Sequence, residues 1–187
     1  MKKGKAILGN EQFELTMMRL AHEVVENYPD WDKACIIGIQ ESGVKLSEAL
    51  ARHIKKITRK NNIAMGKLDI TFYRDDFRTR STPLQASTTE LDFDLEGRRV
   101  ILVDDVLYTG RTVQAAMSAM QDFGRPAQVE LLILVDRRFL RHLPIQADYT
   151  GLTIDALDEA YVSVEWSEQE NNNEILLYSP SRNEANL

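Results

Sequence analysis

Val100-Ile-Leu-Val-Asp-Asp-Val-Leu-Tyr-Thr-Gly-Arg-Thr112 decides how this chain is read. Val100–Val103 is apolar and β-branched at both ends, which predicts a buried strand. The strand delivers two adjacent carboxylates, Asp104 and Asp105, to its C-terminal end, where ligands bind in open α/β sheets. A turn containing Gly110 follows and opens a helix with Val113, Ala116, Met120 and Phe123 on one face. Gly124 ends that helix and Pro126 cannot continue it. Backbone N–H groups at a helix start are unpaired, and the helix dipole favours an anion there. Gly110 permits a backbone shape other residues resist, and the hydroxyls of Thr109 and Thr112 add donors. Paired carboxylates suit vicinal hydroxyls or the water shell of Mg²⁺. Together these residues describe a site for a phosphorylated sugar.

The flanking sequence sets the site in an α/β frame. Asn10 is placed to cap a helix on which Phe13, Met17, Leu20, Ala21, Val24 and Tyr28 recur at helical spacing. Ala34–Ile39 reads as a buried strand. Val44, Leu50, Ala51, Ile54 and Ile57 mark a second amphipathic helix. Leu68, Ile70 and Phe72 alternate with polar neighbours from Lys67 to Tyr73, predicting a half-buried strand. Arg74 to Ser87 breaks the pattern, and a loop this long inside a compact domain is commonly functional. Leu91, Phe93 and Leu95 alternate with acids, predicting a short strand that closes the loop. Val129–Val135 is another buried strand, with further short segments at Ala147–Ile154, Tyr161–Trp166 and Glu174–Tyr178. Alternating strands and helices imply a mainly parallel, doubly wound sheet with helices on both faces. Residues 1–187 read as one domain, with a turn over 168–174 and a loose tail over 179–187.

Composition excludes several classes. Apolar residues make up 43% and charged residues 28%, as in a folded soluble protein rather than a disordered one. No apolar run approaches the roughly 20 residues that cross a bilayer. The basic start leads only into Ala6-Ile7-Leu8, too short for a signal peptide, so a cytoplasmic protein is expected. The net charge of −6 argues against broad, non-specific nucleic-acid binding. Cys35, the single cysteine, sits in an apolar run and reads as core.

The joined thirteen residues resemble the signature of type I phosphoribosyltransferases, which binds 5-phosphoribosyl-1-pyrophosphate (PRPP). His22 in Arg-Leu-Ala-His-Glu, Asp69-Ile-Thr-Phe-Tyr-Arg-Asp-Asp76, Val135-Asp-Arg137 and Leu143-Pro-Ile-Gln-Ala-Asp-Tyr149 are similar to one branch. That branch is the pyrimidine operon regulator/uracil phosphoribosyltransferase (PyrR-like) family. The resemblance runs from about residue 5 to 178 and implies the type I fold with a flexible loop and a small C-terminal cap. It implies formation of uridine monophosphate (UMP) and pyrophosphate from uracil and PRPP, coupled in the family to binding of messenger RNA. Asp104 and Asp105 would contact the ribose hydroxyls, with Mg²⁺ held near them through PRPP and water. Val106, Leu107, Tyr108, Thr109, Gly110, Arg111 and Thr112 would hold the 5′-phosphate. The flexible loop with Arg74, Asp75, Asp76, Arg78 and Arg80 would close over the reaction, Arg74 being the arginine best placed to assist. Val135, Asp136 and Arg137 would face the base, and His22 and Arg141 match the RNA face. Members of the branch form dimers or larger homo-oligomers.

Three departures matter. The pyrophosphate loop reads Gln40-Glu41-Ser42-Gly43 where the family has Thr-Arg before glycine. Two like charges about 5 Å apart repel by roughly 3 kcal/mol at an effective dielectric near 20, enough to weaken pyrophosphate binding about a hundredfold. Lys45 is placed to compensate. Arg138-Phe139-Leu140 replaces the glycine and histidine usual after the Asp-Arg pair, so the base site is altered. Met18 and Gln146 stand where the RNA face has polar and arginine residues, so weak or absent RNA binding is expected. These departures keep open a non-catalytic, nucleotide-sensing or RNA-binding regulator, or a phosphoribosyltransferase for another base.

Overall fold

The structure is a computed structural model that describes residues 4–74, 88–155, 160–167 and 173–178. Five strands form a wholly parallel sheet: β2 (Ala34–Ile39), β3 (Ala64–Leu68), β4 (Arg99–Leu107), β5 (Gln128–Arg137) and β6 (Tyr149–Ile154). Their order across the sheet is β3-β2-β4-β5-β6. The chain reverses its direction of winding between β2 and β4, and a crevice at that switch point is the favoured ligand position in open α/β sheets. Every residue of β2 is buried, as expected of a strand covered on both faces.

Helices cover both faces. Helices α1 (Asn10–Asn27) and α2 (Ser42–Thr58) lie on one, packed through Phe13, Leu20, Leu46 and Leu50 against Ile36, Ile101, Val103 and Leu132. Helix α3 (Arg111–Met120) covers the other through Val113, Ala116 and Met120, against Ile37, Leu102 and Ile133. Each large side chain fully buried in this way contributes about 1.5–3 kcal/mol. Cys35 belongs to the α3-side core, and burial pushes its thiol up to about 11, with Arg98 opposing, so it is no nucleophile.

A second, antiparallel sheet forms the cap. It joins β1 (Lys5–Leu8), β8 (Glu174–Tyr178) and β7 (Tyr161–Glu165) in the order β1-β8-β7. Val162, Val164 and Ile175 carry it onto the α1/α2-side core.

Three local expectations are corrected. Asn10 is the first residue of α1 rather than its cap: Gly9 holds that position, and Phe13 N–H donates to its carbonyl at 2.9 Å. The Asn10 side chain instead accepts from Asn173 N–H at 3.2 Å, tying α1 to the approach to β8. The strand expected over Lys67–Tyr73 lies earlier, at Ala64–Leu68, where it pairs in register with Cys35–Ile39. Asp69 then accepts from both the N–H and the hydroxyl of Thr71, and a 3₁₀ turn leaves Phe72 exposed. No strand forms over Leu91–Leu95; a single bridge, Lys67 to Glu90, precedes it. Asp75, Asp76, Arg78 and Arg80, the remainder of the expected loop through Ser87, residues 168–172 of the expected turn and the tail lie outside the described residues.

Candidate active site

Strand β4 runs past its apolar core and carries Asp104 and Asp105 out to its C-terminal end before breaking at Leu107. Gly110 makes the turn with φ +91°, which a side chain would strain, and Gln114 N–H then closes the first turn of α3 on the Gly110 carbonyl at 3.0 Å. A cleft of about 510 Å³ opens here, lined by Arg74, Asp104 and the run from Val106 to Val113. Asp104 and the signature residues from Val106 to Thr112 therefore share one cavity with Arg74, the one described arginine of the expected loop, whereas Asp105 is not among its lining residues.

The two acids are held differently. Asp104 is 7% exposed. Burial raises its pKa well above the ordinary carboxylate range, the charge of Asp105 raises it further, and Arg74 opposes the shift. Asp105 is also raised by burial, but the Ser42 hydroxyl and the Val106 N–H, both donating to it, counteract this. Asp105 thus links the acid pair to the β2–α2 loop. That loop comes close because Gly43 packs on β4: a Cβ there would meet the Val103 carbonyl at 2.4 Å. Glu41 is exposed at the N-cap of α2 and Lys45 is exposed in its first turn, while Gln40 donates its side-chain N–H to the Thr88 carbonyl at 3.0 Å. The Gln40–Glu41 peptide is cis.

The expected base segment ends β5. Val135 is buried and Asp136 half-buried, and the Arg137 guanidinium lies 4.0 Å over the Tyr108 ring. Arg137 is 6% exposed, and its Nε and one terminal nitrogen have no hydrogen-bond partner among the described residues. Arg141 pairs with Asp136 and donates to the Tyr108 carbonyl. His22, the other residue of the expected RNA face, is exposed on α1. The contacts of Arg137 and Arg141 with Tyr108 had no signal in the sequence, since they join residues about thirty positions apart.

A parallel sheet with a buried and a half-buried acid and a glycine-turned loop at its switch point defines a sugar-phosphate enzyme of the type I phosphoribosyltransferase fold. Residues 3–169 match the family model of the phosphoribosyl transferase domain, and the chain belongs to that family. Within it, the similarity is to PyrR. The chain is 39% identical over 177 residues to the bifunctional protein PyrR of Caldicellulosiruptor bescii, covering 95% of this chain and 96% of that protein. It is also 39% identical over 180 residues to the bifunctional protein PyrR of Desulfosudis oleivorans, covering 96% and 99%. The hypoxanthine phosphoribosyltransferase of Trypanosoma cruzi superposes with a TM-score of 0.70 at 17% identity, covering 94% of this chain and 97% of that one. At that identity the likeness shows the fold.

Proposed function

We propose that this chain transfers the phosphoribosyl group of PRPP to uracil, releasing pyrophosphate and forming UMP. The observation that carries the reading is the meeting of Asp104, Arg74 and the Tyr108–Thr112 loop in one cleft. In the reaction, uracil N1 forms a bond to ribose C1′, the bond from C1′ to the pyrophosphate oxygen breaks, and the N1 proton passes to solvent. The N–H groups and hydroxyls of Tyr108–Thr112 hold the 5′-phosphate. Asp104 and Asp105 accept from the ribose hydroxyls and stabilise positive charge that develops on the ring. Arg74 offsets charge on the leaving group. Val135, Asp136 and Arg137, at the end of β5, stand on the base side, Val135 through its backbone because its side chain is buried in the core.

Mg²⁺ belongs to this proposal as a partner of the substrate. Asp104 and Asp105 would supply the hard oxygen donors the ion prefers. When bound, it neutralises pyrophosphate charge.

A second reading, a nucleotide sensor that binds UMP without turnover, is favoured by one observation: the exposed Glu41 stands at the start of α2, where pyrophosphate needs a cation. RNA binding is weak or absent in either reading, supported by the turn of Arg141 onto Asp136 and by Gln146. The same proposal has the chain acting as one domain, in homo-oligomers and in the cytoplasm; among the described residues no helix is long and apolar enough to cross a membrane. The test is steady-state turnover of uracil with PRPP and Mg²⁺, with other bases in competition. UMP formation supports the transferase; UMP binding without turnover supports the sensor; preference for a purine overturns the choice of uracil.

A further inference from the structure

The phosphate loop is held from behind by the segment that follows β5. The Tyr108 carbonyl accepts from the Arg141 guanidinium, whose other arm pairs with Asp136. The next carbonyl, that of Thr109, accepts from the N–H of His142 at 3.0 Å and of Leu143 at 3.2 Å. Leu143 and Ile145 close over the turn: a Cβ on Gly110 would meet Ile145 Cδ1 at 3.2 Å. The Arg137 guanidinium covers the Tyr108 ring from the same end of β5. In a trans peptide the N–H points opposite to the C=O of its own plane. Fixing the Tyr108 and Thr109 carbonyls on this strap therefore turns the N–H groups of Thr109 and Gly110 away from it, toward the cleft those residues line.

We propose that Arg141 is a positioning residue for the phosphate loop. Its bridge from Asp136 to the Tyr108 carbonyl holds the loop amides in their anion-binding orientation and couples the base side of the cleft to the phosphate side. A guanidinium suits the task because its planar fork serves a carboxylate and a carbonyl at once, where an ammonium offers a single point charge. The pair is shielded: the side chains of Arg141 and Asp136 are 19% and 17% exposed. The inference rests on the reading of the cleft as a PRPP site.

The test uses the full chain as wild type, Arg141→Gln, Arg141→Lys, Asp136→Asn and the double variant Asp136→Asn/Arg141→Gln. Calorimetry gives the Kd for ribose 5-phosphate, kinetics give KM and kcat for PRPP and base, and melting curves report folding. Arg141→Gln is expected to raise the Kd for ribose 5-phosphate and the KM for PRPP about tenfold. Asp136→Asn, although it alters the base side, moves the same phosphate-side constants. The double variant is no worse than Arg141→Gln, because the two residues act as one unit, and Arg141→Lys recovers little. A melting point near wild type separates this from general loosening. Unchanged ribose 5-phosphate affinity in folded Arg141→Gln, or an effect confined to the KM for base, overturns the positioning role alone. A wild type that neither binds ribose 5-phosphate nor consumes PRPP removes the reading of the cleft, and this inference with it.

Discussion

Two carboxylates sit buried on neighbouring strands, one toward each strand end, and their surroundings differ in kind. Glu130, near the start of β5, accepts from Tyr149 at 2.7 Å, from Gln128 at 2.6 Å and from Arg99 at 3.3 Å. Asp104, near the end of β4, accepts from the Asp105 N–H at 3.0 Å and faces a second acid, with Arg74 the opposing charge. The first is a closed polar network that joins strands. The second keeps acceptor capacity turned toward a cleft. A buried acid whose needs are met inside the protein belongs to the fold; one whose needs are left to a ligand belongs to the site.

The contrast is broken or sharpened by substitution. Asp104→Asn or Asp105→Asn is expected to lower turnover by at least about a hundredfold, with folding intact by circular dichroism; activity within threefold of wild type breaks the contrast. Glu130→Ala should act the other way. It leaves the Tyr149 hydroxyl and one terminal nitrogen of Arg99 without this acceptor and costs about 2–3 kcal/mol in denaturant unfolding, while kcat at 25 °C stays near wild type in the folded fraction. An unfolding midpoint that does not move would remove the structural half of the comparison.

A third carboxylate, exposed Glu41, tests whether the cleft's charge extends to the β2–α2 loop. Glu41→Gln is expected to lower the KM for PRPP about tenfold once solvent screening is allowed for, and an unchanged KM would place pyrophosphate elsewhere. The smallest effect concerns stability against pH. Asp104 titrates from about 3.8 when unfolded to a higher value when folded. Between those values the folded chain binds the extra proton, so wild type loses stability as pH rises through the span and keeps that deficit above it. Asp104→Asn should therefore melt a few degrees higher than wild type at neutral pH, with the gap closing toward pH 3.8.

Much of this was legible in the sequence because the signals were local. Ala34–Ile39, Val100–Val103 and, within the expected Val129–Val135, the stretch Leu131–Val135 are buried on both faces, so they read as continuous apolar runs. Asp104, Asp105 and the Gly110 turn are consecutive along the chain, so their meeting needed no tertiary knowledge. What was illegible depends on distant partners. β1 is four residues long and pairs with β8 from the far end of the chain, Lys5 with Leu177. The alternation over Lys67–Tyr73 misled because register is set by pairing with Cys35–Ile39, not by the segment's own pattern. Arg141 carried no mark of its place beneath the phosphate loop, because its partners lie on two other strand ends.

The most direct test of the central claim is calorimetric titration of UMP, with Mg²⁺ present, into wild type and into the double variant Asp104→Asn/Asp105→Asn. Saturable heat in wild type and none in the folded double variant is the predicted result. Equal binding by the two proteins, or no heat from either with UMP or ribose 5-phosphate, would contradict it.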